Sequence, residues 1–423
     1  MRSLPALVLG VAVLASVVHA EAPKQLWVLQ DPDRIIEYDP TTFVTRRTLT
    51  VPRRLLEHPE FLSVNARSQM LFVPPRGAEW TTGELVTARD RAWFWDGQQA
   101  KEWKLEGAKA RSGGPRATVT ESAREWFLSA GGESVVWFET TFEKVVEDGG
   151  GEREVRSTAR VWRTDLGAGS PHRIAELPAP GWCRCETGVC SETCPEWSLW
   201  APDGVVGDFF VVTRVTQGQT ESRYHESLLY QRAGTTWAQK KVIQPLAKPL
   251  TGAEKGEVLV AAVPDGGCCG WENEGNDQTV LFRSGKAIVV YDEWQRYDNR
   301  NYDVSFYTAD ARLAPAARRL AYTIVATAGA SGEIRVSSDG KEDPAELARL
   351  RKAIAALPAV EVVEPATSPR PLATISRAAL VGWLSDTEIL VAQEGRLVVF
   401  DIRGQRRKET TIRVRTAADA FLR

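Results

Sequence analysis

Short apolar runs separated by polar turns recur along most of the chain, and many of them come in pairs. In the recurring pattern, an apolar or aromatic run is followed by a polar turn and then by a second run, which in the clearest pairs ends on an aromatic residue and an aspartate. The first pair is formed by residues 26–29 and 35–39, and the last by residues 389–392 and 397–401. Apolar runs of about four to eight residues bounded by turn residues are typical of strands, so each pair predicts a β-hairpin.

Further copies of the same pattern lie between these two. Units of about 40 to 60 residues built of short strands predict the blades of a β-propeller, which bury their faces by stacking around a ring. We therefore expect an all-β fold, a six- or seven-bladed β-propeller with one inserted helix, and separate β-sandwich domains are the alternative. The further pairs are residues 92–95 with 101–103, 135–138 with 159–165, 209–212 with 227–230, and 288–291 with 304–310.

The two ends of the chain match each other in this pattern. The N-terminal pair begins at Gln25 with no strand before it, whereas residues 416–422 follow a complete last pair. We expect this C-terminal segment to supply the missing innermost strand of the first blade, which protects strand edges that otherwise invite aggregation. The sequence thus predicts one propeller domain over residues 21–423, closed by its C-terminal strand.

One segment departs from the strand pattern. Asp343, Pro344 and Glu346 have the spacing of an N-cap, a first-turn proline and an acid at the third helical position. Apolar residues then follow at helical spacing. A surface insertion between blades is the simpler interpretation, and a regulatory lid is the alternative. The predicted parts are a helix over residues 344–357, a connector over residues 365–371, and a helical insertion that spans about residues 323–375.

Three phrases precede apolar strands in the way that blade openings do. They read Leu-Ser-Ala-Gly-Gly at residues 128–132, Trp-Ala-Pro-Asp-Gly at residues 200–204 and Gly-Trp-Leu-Ser-Asp at residues 382–386. These phrases resemble the turn that opens the blades of TolB-like, or WD40-like, periplasmic propellers. The resemblance implies a propeller fold and a role in holding a protein or a cell-envelope component.

The first twenty residues have the organisation of a signal peptide. Arg2 is followed by an apolar run over residues 4–18, and Val18, His19 and Ala20 form a small-x-Ala cleavage pattern. A transmembrane anchor is the alternative, but it needs about 20 apolar residues, and no later segment is apolar enough to span a bilayer. We expect residues 1–20 to be removed and the protein to be periplasmic or secreted, without an integral membrane segment.

Composition and charge exclude two classes of protein. Hydrophobic residues make up 43% of the chain, charged residues 26%, and the formal net charge is −2. Neither a disordered acidic chain nor a basic nucleic-acid-binding protein has this composition. The expected partner is therefore an envelope or extracellular protein, or a glycan, and not a nucleic acid.

All six cysteines fall in two short segments. An even number of cysteines in an exported chain indicates disulfides, and a bond within the adjacent pair is strained, so we expect bridges between the segments. A metal site is the alternative, but the spacing is not that of a zinc knuckle. The predicted disulfide cysteines are Cys183, Cys185, Cys190 and Cys194 in one segment and Cys268 and Cys269 in the other.

Aromatic and acidic residues accompany the cysteine segments, and propellers place binding sites on such loops at one face of the ring. We predict a ligand-binding face there; the alternative is that the loops only cap the ring and that their carboxylates are solvated. Calcium within residues 272–277 is a further alternative, since hard cations take carboxylate and amide oxygens, and no other cofactor is expected. The candidate ligand-binding residues are Trp182, Trp271, Glu272, Asp292, Glu293 and Trp294.

Catalytic motifs are scarce in this chain. The few histidines that remain after signal cleavage lie in no recognisable catalytic or metal-binding motif. The sequence therefore favours a non-enzymatic propeller that binds a protein or a cell-envelope component through its loop face. The alternative is a hydrolase or lyase acting on a glycan or peptide, with Glu272, Asp292 and Glu293 as its acids. A lectin-like ring is a third hypothesis, which requires repeated aromatic positions on equivalent loops.

Overall fold

The computed structural model describes most of the strand-forming part of the chain. The predicted signal peptide, residues 1–20, lies outside the described residues. The described residues are 24–30, 34–50, 61–64, 70–73, 91–95, 100–104, 117–128, 134–146, 152–165, 172–177, 197–206, 209–217, 222–233, 236–243, 247–249, 258–262, 278–283, 286–316, 318–328, 334–336, 340–365 and 368–422.

Strands dominate the N-terminal part of the chain. They are β1 (Leu26–Gln30), β2 (Arg34–Tyr38), β3 (Thr45–Thr50), β4 (Phe61–Val64), β5 (Met70–Val73), β6 (Arg91–Trp95), β7 (Ala100–Lys104), β8 (Ala117–Leu128), β9 (Ser134–Val146), β10 (Glu152–Asp165), β11 (His172–Leu177), β12 (Trp197–Val206), β13 (Phe209–Gln217), β14 (Ser222–Ala233) and β15 (Thr236–Ile243).

The C-terminal part adds two α-helices and a short 3-10 turn at Ala417–Asp419 to further strands. These are β16 (Ala247–Pro249), β17 (Val258–Ala262), β18 (Gln278–Arg283), β19 (Lys286–Asp292), α1 (Glu293–Tyr297), β20 (Val304–Leu313), β21 (Leu320–Ala328), α2 (Pro344–Ala355), β22 (Ala359–Glu364), β23 (Ser368–Ser376), β24 (Ala378–Trp383), β25 (Glu388–Gln393), β26 (Arg396–Asp401), β27 (Arg406–Arg413) and β28 (Ala420–Leu422).

The described strands form seven four-stranded antiparallel sheets. Four-stranded antiparallel meanders of this kind are the blades from which β-propellers are built. The predicted all-β class is confirmed. Sheet one has the order β28-β1-β2-β3, and sheets two to seven each consist of four successive strands: β4–β7, β8–β11, β12–β15, β16–β19, β20–β23 and β24–β27.

The two ends of the described chain meet in sheet one. Strand β28 pairs antiparallel with β1, so that Leu26 lies opposite Leu422 and Val28 opposite Ala420. Strand β24 of sheet seven contacts β28 in turn. The C-terminal segment therefore supplies the innermost strand of the first sheet, as the sequence predicts, while the limits of the propeller domain stay a prediction.

Most of the predicted hairpins are present. The pairs at residues 26–39, 92–103, 135–165, 209–230 and 389–401 are confirmed by the pairing of β1 with β2, β6 with β7, β9 with β10, β13 with β14 and β25 with β26.

The predicted pairing of residues 288–291 with residues 304–310 is wrong. Strand β19 pairs with β18, and β20 pairs with β21, so these two runs belong to neighbouring sheets. The physical reason is Asp292, whose carboxylate caps a helix directly after β19 and turns the chain into the next sheet.

The predicted helix is present as α2. The Asp343 carboxylate accepts hydrogen bonds from Ala345 N and Glu346 N, and Pro344 begins the helix. The inserted segment is narrower than predicted, because β22 and most of β21 and β23 lie within residues 323–375 and α2 lies in the β21–β22 connection. Likewise, the end of the predicted connector at residues 365–371 belongs to β23, an edge strand, where proline is tolerated.

Apolar side chains join the sheets to one another and to α2. Val28, Leu390 and Leu422 lie in one buried cluster between sheets one and seven. Phe306 and Leu350 lie in another, which joins α2 to sheets five and six. Full burial of such a side chain is worth about 1.5–3 kcal/mol, so these contacts hold α2 firmly against the sheets.

Candidate binding face

Helices α1 and α2 lie at the same end of sheet six. Val304, at the start of β20, pairs with Ala328, at the end of β21; α1 precedes the first of these residues and α2 follows the second. The Tyr302 hydroxyl donates a hydrogen bond to Asp343 O at 2.8 Å and accepts one from Asp343 N at 2.9 Å. We call this end of the sheets, with α1, α2 and residues 298–303, the helical face.

Two further contacts tie the helices together. Asn301 Nδ2 donates to the Glu346 carboxylate at 3.3 Å, and Arg349 Nη2 donates to Asp298 O at 3.3 Å. Both contacts join the turn after α1 to the first half of α2. Because short segments are ordered by such cross-links, the helical face behaves as one unit.

Asp292, the first of the predicted site residues described by the structure, is the N-cap of α1. Its Oδ1 accepts a hydrogen bond from Gln295 N at 3.0 Å, and only 8% of the residue is exposed. A capping carboxylate of this kind satisfies a backbone N–H that the helix itself leaves without a partner. Asp292 thus positions α1.

Glu293 is almost fully buried, with 1% of its surface exposed. Its Oε1 accepts hydrogen bonds from Asn299 Nδ2 and from Phe306 N, both at 2.7 Å. Asn299 Nδ2 also donates to Val304 O. Because a buried carboxylate is costly unless hydrogen bonds surround it, Glu293 acts as the anchor of the α1–β20 turn.

Aromatic side chains cover this anchor. The rings of Tyr297 and Phe306 are stacked, with centroids 3.9 Å apart. Trp294 is half-buried, and the Arg300 guanidinium lies 4.8 Å from the centroid of its ring. Trp294 and Arg300 therefore form a cation–π pair on the helical face, an arrangement that combines an apolar surface with a positive charge.

A buried ion pair joins α1 to sheet six. Arg296 donates to both carboxylate oxygens of Glu361, at 3.0 and 2.6 Å, and the Glu361 side chain is only 4% exposed. The Tyr322 hydroxyl donates to Oε2 of the same carboxylate at 3.0 Å, and Thr374 Oγ1 donates to Oε1 at 3.3 Å. The four side chains form one hydrogen-bonded cluster beneath the helical face.

Burial controls the proton affinities in this cluster. It raises the pKa of Glu361, although Arg296 and the hydroxyl donors oppose the shift. Burial, reinforced by the Glu361 carboxylate, raises the pKa of Tyr297 to about 12 and places the pKa of Tyr322 well above its usual range. Both phenols are therefore protonated at neutral pH, so the Tyr322 hydroxyl keeps the proton that it offers to Glu361 Oε2 and to Val290 O.

The structure brings together Asp292, Glu293 and Trp294 of the predicted site residues, all within α1 and its cap. Trp182, Trp271, Glu272 and all six cysteines lie outside the described residues. The strands that flank one cysteine segment are described: Ala262 pairs with Gln278, and Gln278 pairs with Asp292. These strand ends lie at the end of sheet five where α1 begins.

Sequence reasoning missed two depressions between sheets one and seven. They have volumes of about 920 and 480 Å³ and share Phe43 in their walls. Lys408 Nζ lies 4.7 Å from the centroid of that ring. In the sequence, the basic run at the start of β27, residues 406–408, is the signal that could have indicated these depressions. The charged lining side chains include Arg396, Arg413 and Arg415 in the larger depression and Arg46, Arg407 and Lys408 in the smaller one.

In the described stretches, no group of three or more His, Cys, Asp or Glu side chains is arranged to hold a metal ion. Within the same stretches, no helix is long and apolar enough to cross a membrane.

The sequence matches no protein-family model, and no curated protein is similar to it in sequence. Solved structures are similar in fold. The β-propeller domain of the Trilobed protease from Pyrococcus furiosus, described as having an open velcro topology, matches with a TM-score of 0.43 and 12% identity, covering 92% of this chain and 95% of that one. In this chain, by contrast, β28 pairs with β1.

Two other solved structures show similarity of the same order. Pyrococcus horikoshii acylaminoacyl peptidase matches with a TM-score of 0.41 and 11% identity, and the match covers 90% of this chain and 48% of the peptidase chain. Citrobacter koseri AztD matches with a TM-score of 0.34 and 11% identity, and the match covers 92% of this chain and 95% of the AztD chain. All three TM-scores are below 0.5, so the fold assignment rests on the sheet topology.

Proposed function

We propose that this chain is an exported, non-enzymatic β-propeller of seven blades that binds a protein or a cell-envelope component through its helical face. The seven four-stranded sheets and the pairing of β28 with β1 support a closed ring. The signal-peptide pattern of residues 1–20 supports export.

The observation that supports a binding role is that the two acids at the start of α1 have structural roles. Asp292 caps the helix and Glu293 is a buried acceptor for Asn299 and for a backbone N–H, so both are committed to holding the fold. General acid–base chemistry requires carboxylates that reach a substrate. Trp294, half-buried beside Arg300, instead offers the aromatic and cationic surface that is enriched at protein interfaces.

Strand direction supports a shared face for the cysteine segments and α1. One segment joins β11, the fourth strand of its sheet, to β12, the first strand of the next sheet; the other joins β17 to β18, the second and third strands of one sheet. Because successive strands in such a meander are antiparallel, both kinds of connection lie at the same end of the sheets. Sheets four and five are neighbours, since β12 and β13 contact β16. Disulfides between the two segments would therefore stiffen the face beside Trp294 and bring Trp182, Trp271 and Glu272 to it.

The test is chemical cross-linking of the tagged protein in its native cell envelope, followed by mass spectrometry. Trp294→Ala removes the half-buried ring from the helical face, and Lys408→Ala, at the other end of the sheets, is the matched control. One partner recovered with the wild type and with the control, but lost with Trp294→Ala, supports the proposal. A partner retained by Trp294→Ala and lost by Lys408→Ala contradicts it, because it places the contact elsewhere.

A further inference from the structure

The innermost strands of three sheets meet at the end of the sheets opposite the helical face. Strand β20 of sheet six contacts β24 of sheet seven, and β24 contacts β28 of sheet one. Arg312 lies at this end, since it pairs with Ala321 next to the Leu313–Leu320 pair that begins the β20–β21 connection. Its side chain therefore extends from sheet six towards the other two innermost strands.

Register shifts of the β-bulge type occur in both β20 and β24 close to Arg312. Ala309 pairs with Thr323 and Arg312 with Ala321, so β20 carries one extra residue between them. Asp310, within the bulge, has a φ of 52°, which is in the left-handed region. Strand β24 carries a similar irregularity immediately before Gly382. Bulges turn a strand and re-aim its side chains, and they are common beside functional sites.

Gly382 leaves the space that the Arg312 guanidinium occupies. A Cβ at Gly382 would lie 3.3 Å from Arg312 Nη1 and 3.2 Å from Leu422 Cδ2. The neighbouring Trp383 holds the backbone of β20 in place, because its Nε1 donates to Arg312 O at 2.9 Å. The arginine is therefore held at both its main chain and its side chain.

The guanidinium has far more donors than acceptors at this position. Arg312 Nη1 donates to Leu422 O at 3.4 Å, and within the described part of the chain the group makes no other hydrogen bond. Asp310 attracts it electrostatically without bonding to it, and burial lowers the pKa of Arg312. A guanidinium presents five N–H donors in a planar fork, and among the residues that the structure describes the edge formed by Nε and Nη2 has no acceptor.

We propose that Arg312 anchors an anion-binding site, in which the free Nε–Nη2 edge holds an oxyanion of a ligand by two parallel hydrogen bonds. Carboxylate and phosphate groups both match this fork, and the partly buried Arg312 side chain gains more from such a partner than a fully exposed arginine would. The site lies at the other end of the sheets from the helical face. It is therefore independent of the proposed function, and either can fail alone.

The experiment is an NMR titration of the full exported chain carrying 15N-labelled arginine. Sodium acetate and sodium phosphate are each added against sodium chloride at constant ionic strength, and Arg312→Lys identifies the Arg312 Nε resonance. We expect that resonance to shift saturably with acetate, with phosphate or with both, which also identifies the preferred oxyanion. Arg413, exposed and without an ion-pair partner in the described part of the chain, should respond to neither.

Thermal unfolding supplies the second readout. The preferred anion should raise the wild-type melting temperature saturably, Arg312→Gln should weaken its apparent Kd at least tenfold, and Arg413→Gln should leave the Kd unchanged. An Arg312 resonance that does not move when acetate or phosphate replaces chloride, or an anion response that persists in Arg312→Gln, would overturn the proposal. If Arg312→Gln does not fold, the wild-type titration alone decides.

Discussion

Asp39 and Asp401 hold equivalent turns in the first and the last sheet. Each follows an aromatic residue at the end of the third strand of its sheet: Asp39 comes directly after β2, and Asp401 is the last residue of β26. Asp39 Oδ1 accepts from Thr41 N and Thr42 N, and its Oδ2 accepts from Arg46. In sheet seven, Asp401 Oδ1 accepts hydrogen bonds from Arg403 N and Gln405 N in the same way, and Asp401 Oδ2 accepts one from Arg407. The repeated aromatic–aspartate pattern is therefore a turn-capping device.

This device predicts a specific loss of stability in acid. Hydrogen bonds, chiefly from Thr42 N–H to Asp39 and from Gln405 N–H to Asp401, lower the pKa of both carboxyls. Their contribution to stability is present above the unfolded pKa, near 3.9, and is lost as pH falls through the lower folded pKa. Asp39→Asn combined with Asp401→Asn should therefore reduce the drop in melting temperature between pH 6 and pH 3.

The matched control is Asp303→Asn, since Asp303 is exposed and its side chain makes no hydrogen bond in the described part of the chain. Its melting curve should change with pH as the wild type does. Parallel curves for the wild type and the double variant would contradict the role given to the two aspartates.

The same aspartate pattern shows where sequence reasoning succeeded and where it did not. Hairpins were predictable because two strands and their capped turn are local in sequence. Residues 288–310 carry the same pattern, yet Asp292 caps a five-residue helix instead of a hairpin turn. A helix this short has no readable periodicity. Arg296 and Glu361 are 65 positions apart, so no local signal joins them.

The Arg296–Glu361 pair predicts strong coupling. Arg296→Met leaves a carboxylate buried without its counter-charge, which typically costs about 3–5 kcal/mol of the free energy of unfolding. Replacing both residues, by Arg296→Met with Glu361→Leu, should cost less than the sum of the single changes. Urea denaturation of the four proteins measures the coupling. The exposed Arg396–Glu409 pair is the control, with a coupling below about 1 kcal/mol; additive effects at Arg296 and Glu361 would contradict the prediction.

Gly382 predicts a steric effect on the pairing of the chain ends. In Gly382→Ala, the added methyl group would crowd Leu422 and Arg312, and overpacking of this kind typically costs about 1–3 kcal/mol. Hydrogen exchange should accelerate in β1 and β28. Gly395→Ala is the comparison, because Gly395 has a φ of 75° in the β25–β26 turn and strains only its own backbone. Equal exchange in β28 for both variants would refute a contact specific to Gly382.

The N-cap of α2 predicts a local effect on the helical face. Asp343→Ala removes the acceptor for Ala345 N and Glu346 N, and loss of such a cap costs about 0.5–2 kcal/mol. Hydrogen exchange in α2 should increase, while β26, remote from the helix, serves as the internal reference. Unchanged protection of α2 would show that packing of Leu350 alone holds the helix.

Site-specific photo-cross-linking tests the central claim, that the helical face binds the partner, most directly. A photoreactive amino acid replaces the exposed Gln295, next to Trp294 on α1, in one protein and Thr42 in the β2–β3 turn, at the other end of the sheets, in a second. Both are irradiated in the native envelope. The account predicts a discrete covalent adduct from position 295 and none from position 42. An adduct from position 42 alone would contradict it.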